Sequence, residues 1–293
     1  MTPRQQADRR AGFLFLAPAL VALGALTAYP GVWVLWLSFQ HRIPVFNVSR
    51  FAGWSHFGFL ADDPRFWNAV LVTVIFTVVS VALELGLGLA VAVALRRQQS
   101  GRRIALSLLL LAWALPSVVV ARLFEWLYHP SAGLTNFLLG VLGARPLNWL
   151  GDPGLALPAL ILADVWRTMP FVALLCYTRL LTIPAELYEA AQVDGAGRLA
   201  MFGRITLPLL RPILLIVLLF RTLDALRAFD LMFVLTGGGP AGATETLTVY
   251  AYRSLFQNLQ LGFGSAVAVV VFALVMAVAW GYLRVLRREG LTS

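Results

Sequence analysis

Arg221, Asp224, Arg227 and Asp230 recur every third position inside a stretch that is otherwise apolar. On a helix that spacing sets each charge beside a neighbour of opposite sign, so the four can form a self-neutralising ladder. The same side chains can also line a wet path and hydrogen-bond a polar cargo, the usual role of ionisable groups in apolar surroundings. Asp164 and Arg167 repeat the i, i+3 pairing in a second apolar run, and Glu84 stands in a third with no cation one turn away. Glu84 therefore requires a partner from another helix, or its proton. Arg122 and Glu125 lie near the end of a fourth run, where long side chains reach the polar interface.

Covalent chemistry finds little support. No nucleophile shares a segment with a base, and no pair of carboxylates is set out for acid and base work. His41, His56 and His129 lack metal-ligand spacing, and the single cysteine, Cys176, excludes a disulfide within the chain. All 23 basic residues are arginine against 14 acids, giving a net charge of +9. The arginines cluster between apolar runs instead of forming one face, which argues against nucleic acid.

The elements that must position these groups are membrane spans. Of 293 residues, 60% are hydrophobic and 13% charged, and the mean hydropathy of +0.81 excludes a soluble globular domain. Crossing a hydrocarbon core roughly 30 Å thick takes about 20 apolar residues. Six runs qualify, near residues 11–39, 67–95, 104–128, 155–181, 207–235 and 261–285, and the absence of period-two alternation makes them helices. With the N-terminus inside, 14 arginines fall on the cytoplasmic side and five outside, so both termini are expected in the cytoplasm. Asp8-Arg9-Arg10 and Ala17-Pro18-Ala19 echo a cleaved signal, but the run that follows is too long for one and reads as an uncleaved first span. The expectation is one all-α polytopic domain over residues 1–293. Its external segments 40–66, 129–154 and 236–260 are expected to hold short interfacial helices. Counting 1.5 Å per residue from Leu207, Arg221 lies about 21 Å along the fifth span, near the bilayer midplane.

The longest inward connection, 182–206, reads TIPAELYEAAQVDGAGRLAMFGRIT. Pro184 suits a first helical turn, Glu186 and Glu189 favour the positive end of a helix, and Gly195 and Gly197 end it. An amphipathic helix resting on the membrane is one reading, and a docking helix on which Ala190 and Ala191 let a partner approach closely is the other. After the fifth span, Gly237, Gly238 and Gly239 permit dihedrals closed to other residues. They form either a plain exit loop, or a flexible outer gate or contact for an external binding protein.

Glu189-Ala190-Ala191, three residues, Gly195, nine residues and then Ile205-Thr206-Leu207-Pro208 resembles the EAA signature of permease subunits of binding-protein-dependent ABC importers. The strings 163–171, 190–196 and 235–240 are similar to the carbohydrate-uptake branch, of maltose and trehalose type. The resemblance implies a type I importer permease fold in a bacterial cytoplasmic membrane. It makes Glu189, Ala190, Ala191, Asp194 and Gly195 the docking positions for an ATPase. It further implies a second homologous permease, two copies of the ATP-binding subunit and an extracytoplasmic solute-binding protein. A phosphate-binding loop needs a lysine after its glycines and this chain has none, so ATP and Mg are expected on the partner and no cofactor here. A sugar cargo makes Trp126, Tyr128 and Trp166 candidates for stacking on a ring face, beside Arg221, Asp224, Arg227, Asp230, Asp164 and Arg167. Glycerol 3-phosphate or another small solute is the alternative cargo. A proton-coupled transporter using Glu84 or Asp164 is the alternative mechanism.

Overall fold

Pro64 opens a helix that runs unbroken to Arg97, because the N–H that proline lacks is not needed in a first turn and no later proline interrupts the series. In the computed structural model of the chain, residues 15–98 and 100–288 are described. The helices are α1 (Phe15–Leu37), α2 (Ser55–Asp62), α3 (Pro64–Arg97), α4 (Arg102–Ala114), α5 (Ser117–Leu127) and α6 (Leu134–Val141). They continue with α7 (Pro153–Leu181), α8 (Glu186–Val193), α9 (Arg198–Leu226), α10 (Asp230–Leu235), α11 (Leu247–Tyr252) and α12 (Leu261–Arg288). By length and composition α1, α3, α7, α9 and α12 can each cross a membrane, and the bent pair α4 and α5 together supplies a sixth crossing. The start of the first expected span at Ala11, with Arg4, Arg9 and Arg10, lies outside the described residues.

Two units group the contacts. The smaller holds the chain up to Asp63 and Tyr250–Phe272. In it α1 exposes nearly all its apolar surface, and an antiparallel hairpin, β1 (Gln40–Ile43) with β2 (Val48–Phe51), pairs Gln40 with Phe51 and Ile43 with Val48. Asn47 closes the turn in the left-handed region at φ 49°. Beside α2, the short helix expected in segment 40–66, the hairpin adds two strands that the all-α expectation did not include. His56 on α2 is buried and meets the Gln40 carbonyl at 3.1 Å. Burial, reinforced by the neighbouring His41, lowers its pKa against the opposing carbonyl hydrogen bond.

The larger unit comprises Pro64–Val249 and the chain from Ala273. Here α3 and α7 lie side by side along much of their length. At Gly88 a Cβ would fall 2.7 Å from the Val172 side chain, so only glycine lets these helices approach as they do. Ala92, Val172, Cys176 and Leu180 fill the contact toward the inner end.

Two expected spans are broken. Segment 104–128 forms α4 and α5, bent by 100° at Leu115-Pro116. Leu115 is extended, with ψ 133°, as the residue before a proline prefers. The fifth span ends at Leu226, nine residues before the expected end at Leu235. Arg227 turns its Nε to the Leu223 carbonyl at 3.0 Å, and the Thr248 hydroxyl donates to the Ala228 carbonyl at 2.6 Å. These bonds satisfy the carbonyls released at the break before α10 restarts at Asp230.

Candidate transport path and inner docking helix

Arg221 on α9 is the centre of a charge cluster drawn from three helices. Its Nε donates to Glu84 Oε2 at 2.6 Å and its Nη2 to Glu84 Oε1 at 2.8 Å, a two-point pair with α3. Nη2 also reaches Asp164 on α7 at 3.1 Å, and Nη1 reaches Asp224 one turn along at 2.5 Å. The Thr168 hydroxyl donates to Glu84 at 2.6 Å. Arg167 holds the other oxygen of Asp164 at 3.3 Å. Glu84 has no solvent exposure, so the guanidinium and the hydroxyl supply what water cannot. The partner that Glu84 required thus comes from α9, and its contacts join α3, α7 and α9.

The four-member ladder exists only in its first half. Arg221 and Asp224 pair on α9, whereas Arg227 and Asp230 lie beyond the helix break. Asp230 instead accepts the Ser117 hydroxyl at 3.0 Å, from the first residue after the bend at Pro116. The break and the bend together open a hollow of about 290 Å³ lined by Ser117, Asp164, Arg167, Arg221, Asp224, Arg227 and Asp230. A second hollow of about 230 Å³ shares Arg167, Arg221, Asp224 and Arg227 and adds Trp113, Phe171 and Phe220. The rings of Trp113 and Phe171 stack at 5.5 Å.

Six of the expected charged residues therefore meet at one place. The expected aromatics do not. Trp126 is 81% exposed, Trp166 packs its ring edgewise on Phe124, and neither lines either hollow. Tyr128 is buried and donates to the Ala159 carbonyl. Ser117, Trp113, Phe171 and Phe220 passed unnoticed in the sequence, although Pro116 marked the place. Arg122 and Glu125 pair with each other at 2.6 Å, both exposed.

The glycine loop is tied down on several sides. Gly237 and Gly238 take φ of 62° and 89°. The Thr244 hydroxyl donates to the Gly239 carbonyl at 2.7 Å, and Asn68 of α3 donates to the Gly242 carbonyl at 2.9 Å. Arg65 grips buried Glu245 with two 2.7 Å bonds. These bonds seat the loop as an arch on the end of α3.

At the opposite end of α3, α8 is held by one side chain. The Tyr188 hydroxyl meets Arg96 Nη1 at 2.8 Å and Thr206 Oγ1 at 3.0 Å, while the Arg96 guanidinium lies 4.5 Å from the centre of the Tyr188 ring. Gly195 ends the helix at φ 77°. Its N–H donates to Gln192 at 3.0 Å and that of Ala196 to Ala191 at 2.8 Å, the paired bonds of a Schellman cap. Glu189, Ala190 and Asp194 are exposed, as is Val193 to 89%, and Ala191 is half-buried. α8 is thus a short capped helix, anchored through Tyr188 and exposed at Glu189, Ala190, Val193 and Asp194.

A predominantly helical, multi-pass membrane subunit, with a polar hollow between its spans and an exposed helix beyond their inner ends, has the layout of a transport permease. The chain belongs to the family of binding-protein-dependent transport system inner membrane components, whose family model matches residues 85–289. It is 40% identical over 279 residues to the trehalose/maltose transport system permease protein of Thermococcus litoralis, covering 95% of this chain and 94% of that one. It is 40% identical over 286 residues to the sulfoquinovosyl glycerol transport system permease protein of Agrobacterium fabrum, covering 96% and 92%. Among solved structures, a bacterial ABC transporter that imports the acidic polysaccharide alginate superposes with a TM-score of 0.85, over 99% of this chain and 100% of that one. At 22% identity that likeness concerns the fold.

Proposed function

We propose that this chain passes a neutral sugar, an α-linked disaccharide of the trehalose or maltose kind, inward across the cytoplasmic membrane as one permease of an ATP-driven importer. The observation that carries the reading is the balance of the hollow. Three arginines and three aspartates line it together with a hydroxyl, so it offers many donors and acceptors and no net charge. Such a lining suits a cargo rich in hydroxyls, and the aromatic side formed by Trp113, Phe171 and Phe220 suits the apolar face of a sugar ring. The trehalose/maltose relative supports the same class of cargo.

Energy would enter through α8. Glu189, Ala190, Ala191, Asp194 and Gly195 are the positions proposed to seat in a separate ATPase, which holds ATP and Mg. Two ATPase copies, a second permease and an external binding protein complete the set. Closure of the ATPase pair would push α8, and Tyr188 would pass that movement to the ends of α3 and α9 through Arg96 and Thr206. Alternating access to the hollow follows from that linkage.

The sulfoquinovosyl glycerol relative raises an anionic cargo as a second reading, which also covers glycerol 3-phosphate. The matched acids and bases of the hollow speak against it. The proton-coupled alternative is weakened because both oxygens of Glu84 are engaged by Arg221. Uptake by proteoliposomes holding the complete importer tests the reading. Labelled trehalose or maltose should accumulate with ATP and resist competition by a sulfonated glycoside. Asp224→Asn and Asp230→Asn should express normally and cut uptake about tenfold or more, the scale of one lost charged hydrogen bond. Preference for the anionic glycoside, or full uptake by both variants, would refute it.

A further inference from the structure

We propose that the cavity between the inner end of α3 and helix α8 binds the phosphate of an anionic phospholipid from the inner leaflet. The cavity measures about 410 Å³, and Arg96, Arg97 and Arg198 all line it. Among the described residues none of the three forms an ion pair with an acidic side chain. Arg96 is engaged by the ring and hydroxyl of Tyr188, which supply no negative charge. Three like charges around one cavity repel each other, and an anion among them removes the repulsion while offering each guanidinium an acceptor.

The rest of the lining selects the kind of anion. Val93, Leu180 and Phe202 form apolar walls of the same cavity. Val93 precedes Arg97 by one turn of α3, which sets it about 6 Å nearer the membrane centre. A free phosphate would be bound as well without those walls. A glycerophospholipid uses both parts, its phosphate at the arginines and its first acyl methylenes along Val93 and Phe202. Arg96 is at once a wall of this cavity and the anchor of Tyr188. Lipid occupancy therefore bears on how firmly α8 is held against α3. The inference needs only the membrane-spanning fold, so it stands or falls apart from the sugar assignment.

The test uses the full-length chain purified with its partner subunits and phosphatidylglycerol carrying a photoreactive group near the head of one acyl chain. A phosphatidylcholine probe with the same chain is the control. The phosphatidylglycerol probe should label the peptides holding Val93 and Phe202 about thirtyfold more than the control, as two arginines at about 1 kcal/mol each imply. The double variant Arg97→Gln with Arg198→Gln should bring labelling down to the control, and Arg97→Lys with Arg198→Lys should restore it, which separates charge from folding. Millimolar inorganic phosphate should leave labelling unchanged. Equal labelling by both probes, or labelling that survives the glutamine pair, would overturn the proposal. So would displacement by inorganic phosphate, which marks a small-anion site, and so would labelling that appears only in a preparation stripped of the ATPase, which marks a seat for acidic side chains of the partner.

Discussion

Glu84 and Arg221, 137 residues apart in sequence, face each other as carboxylate and guanidinium through two hydrogen bonds of 2.6 and 2.8 Å, with 0% and 4% of their side chains exposed. The pair joins α3 to α9, and through Asp164 and Thr168 it draws in α7. Removing one partner of such a pair is far worse than never having built it, because the other charge is left buried and alone. Arg221→Leu strands Glu84 and Asp164 together and is expected to cost about 3–5 kcal/mol. Glu84→Gln keeps hydrogen-bonding atoms in place and is expected to cost less. Cys176 is buried, so its reaction with a thiol dye on heating reports unfolding directly. Equal midpoints for wild type and Arg221→Leu would remove the cluster from the account of stability.

Within this chain Gly195 is constrained by its backbone, since nothing of the chain lies within 4 Å of where a Cβ would stand. At φ 77° a β-branched residue pays about 1–2 kcal/mol, while asparagine visits this region readily. Gly195→Asn should keep near-normal uptake. Gly195→Val should fray α8, raising hydrogen exchange over residues 186–193 and lowering transport. Identical behaviour of the two variants would show that the cap does not matter.

How much of this was legible in the sequence depends on the range of the cause. The spans are written in runs of apolar residues, and α8 in Pro184, the EAA string and Gly195, all local signals. The bend at Leu115-Pro116 was also local, but continuous apolar composition across it masked the one signal that mattered, while Pro158 and Pro170 sit inside α7 without breaking it. The early end of α9 depends on Thr248 meeting the Ala228 carbonyl, and the grip on Glu84 on a residue 137 positions away. Neither could be read from spacing. The hairpin at 40–51 lay hidden in a segment whose mixed polar and aromatic composition suits many loops. Tyr188 stands just before the EAA string, and its role depends on Arg96 and Thr206 on either side of its hydroxyl, 92 and 18 positions away.

Gly238 is expected to be the least replaceable glycine of the arch. Its φ is 89°, and a Cβ there would lie 3.1 Å from Val249 and 3.4 Å from Glu245. At Gly237 a Cβ would meet only the Phe233 carbonyl oxygen, at 3.9 Å, and the φ of 62° is one that asparagine can adopt. Gly238→Val should lose about 1–3 kcal/mol and most uptake, and Gly237→Asn little of either. Thermal midpoints and uptake of the two variants check this, and intact transport in Gly238→Val would dismiss the arch as a functional element.

His56 gives the outer hairpin a pH dependence. Burial lowers its pKa below the ordinary value near 6.5, so below that value the opened state binds the proton that the packed state refuses. Local stability is therefore full above about pH 6.5 and falls as the solution becomes more acidic. His41, opposite Arg50 in the hairpin and stacked on His56, adds repulsion in the same direction. Hydrogen exchange of residues 40–56 should quicken on acidification, and His56→Gln should flatten the change. Protection that rises on acidification would contradict this reading of the hairpin.

The central claim is that α8 seats in a separate ATPase, and it is tested most directly by purifying the tagged chain from its native membrane in mild detergent. Mass spectrometry then identifies what accompanies the wild type and Glu189→Lys. The account predicts a second permease and an ATP-binding subunit with the wild type, and loss of the ATP-binding subunit alone from the variant. A chain that emerges by itself, or an ATPase that stays bound to Glu189→Lys as tightly as to the wild type, would contradict it.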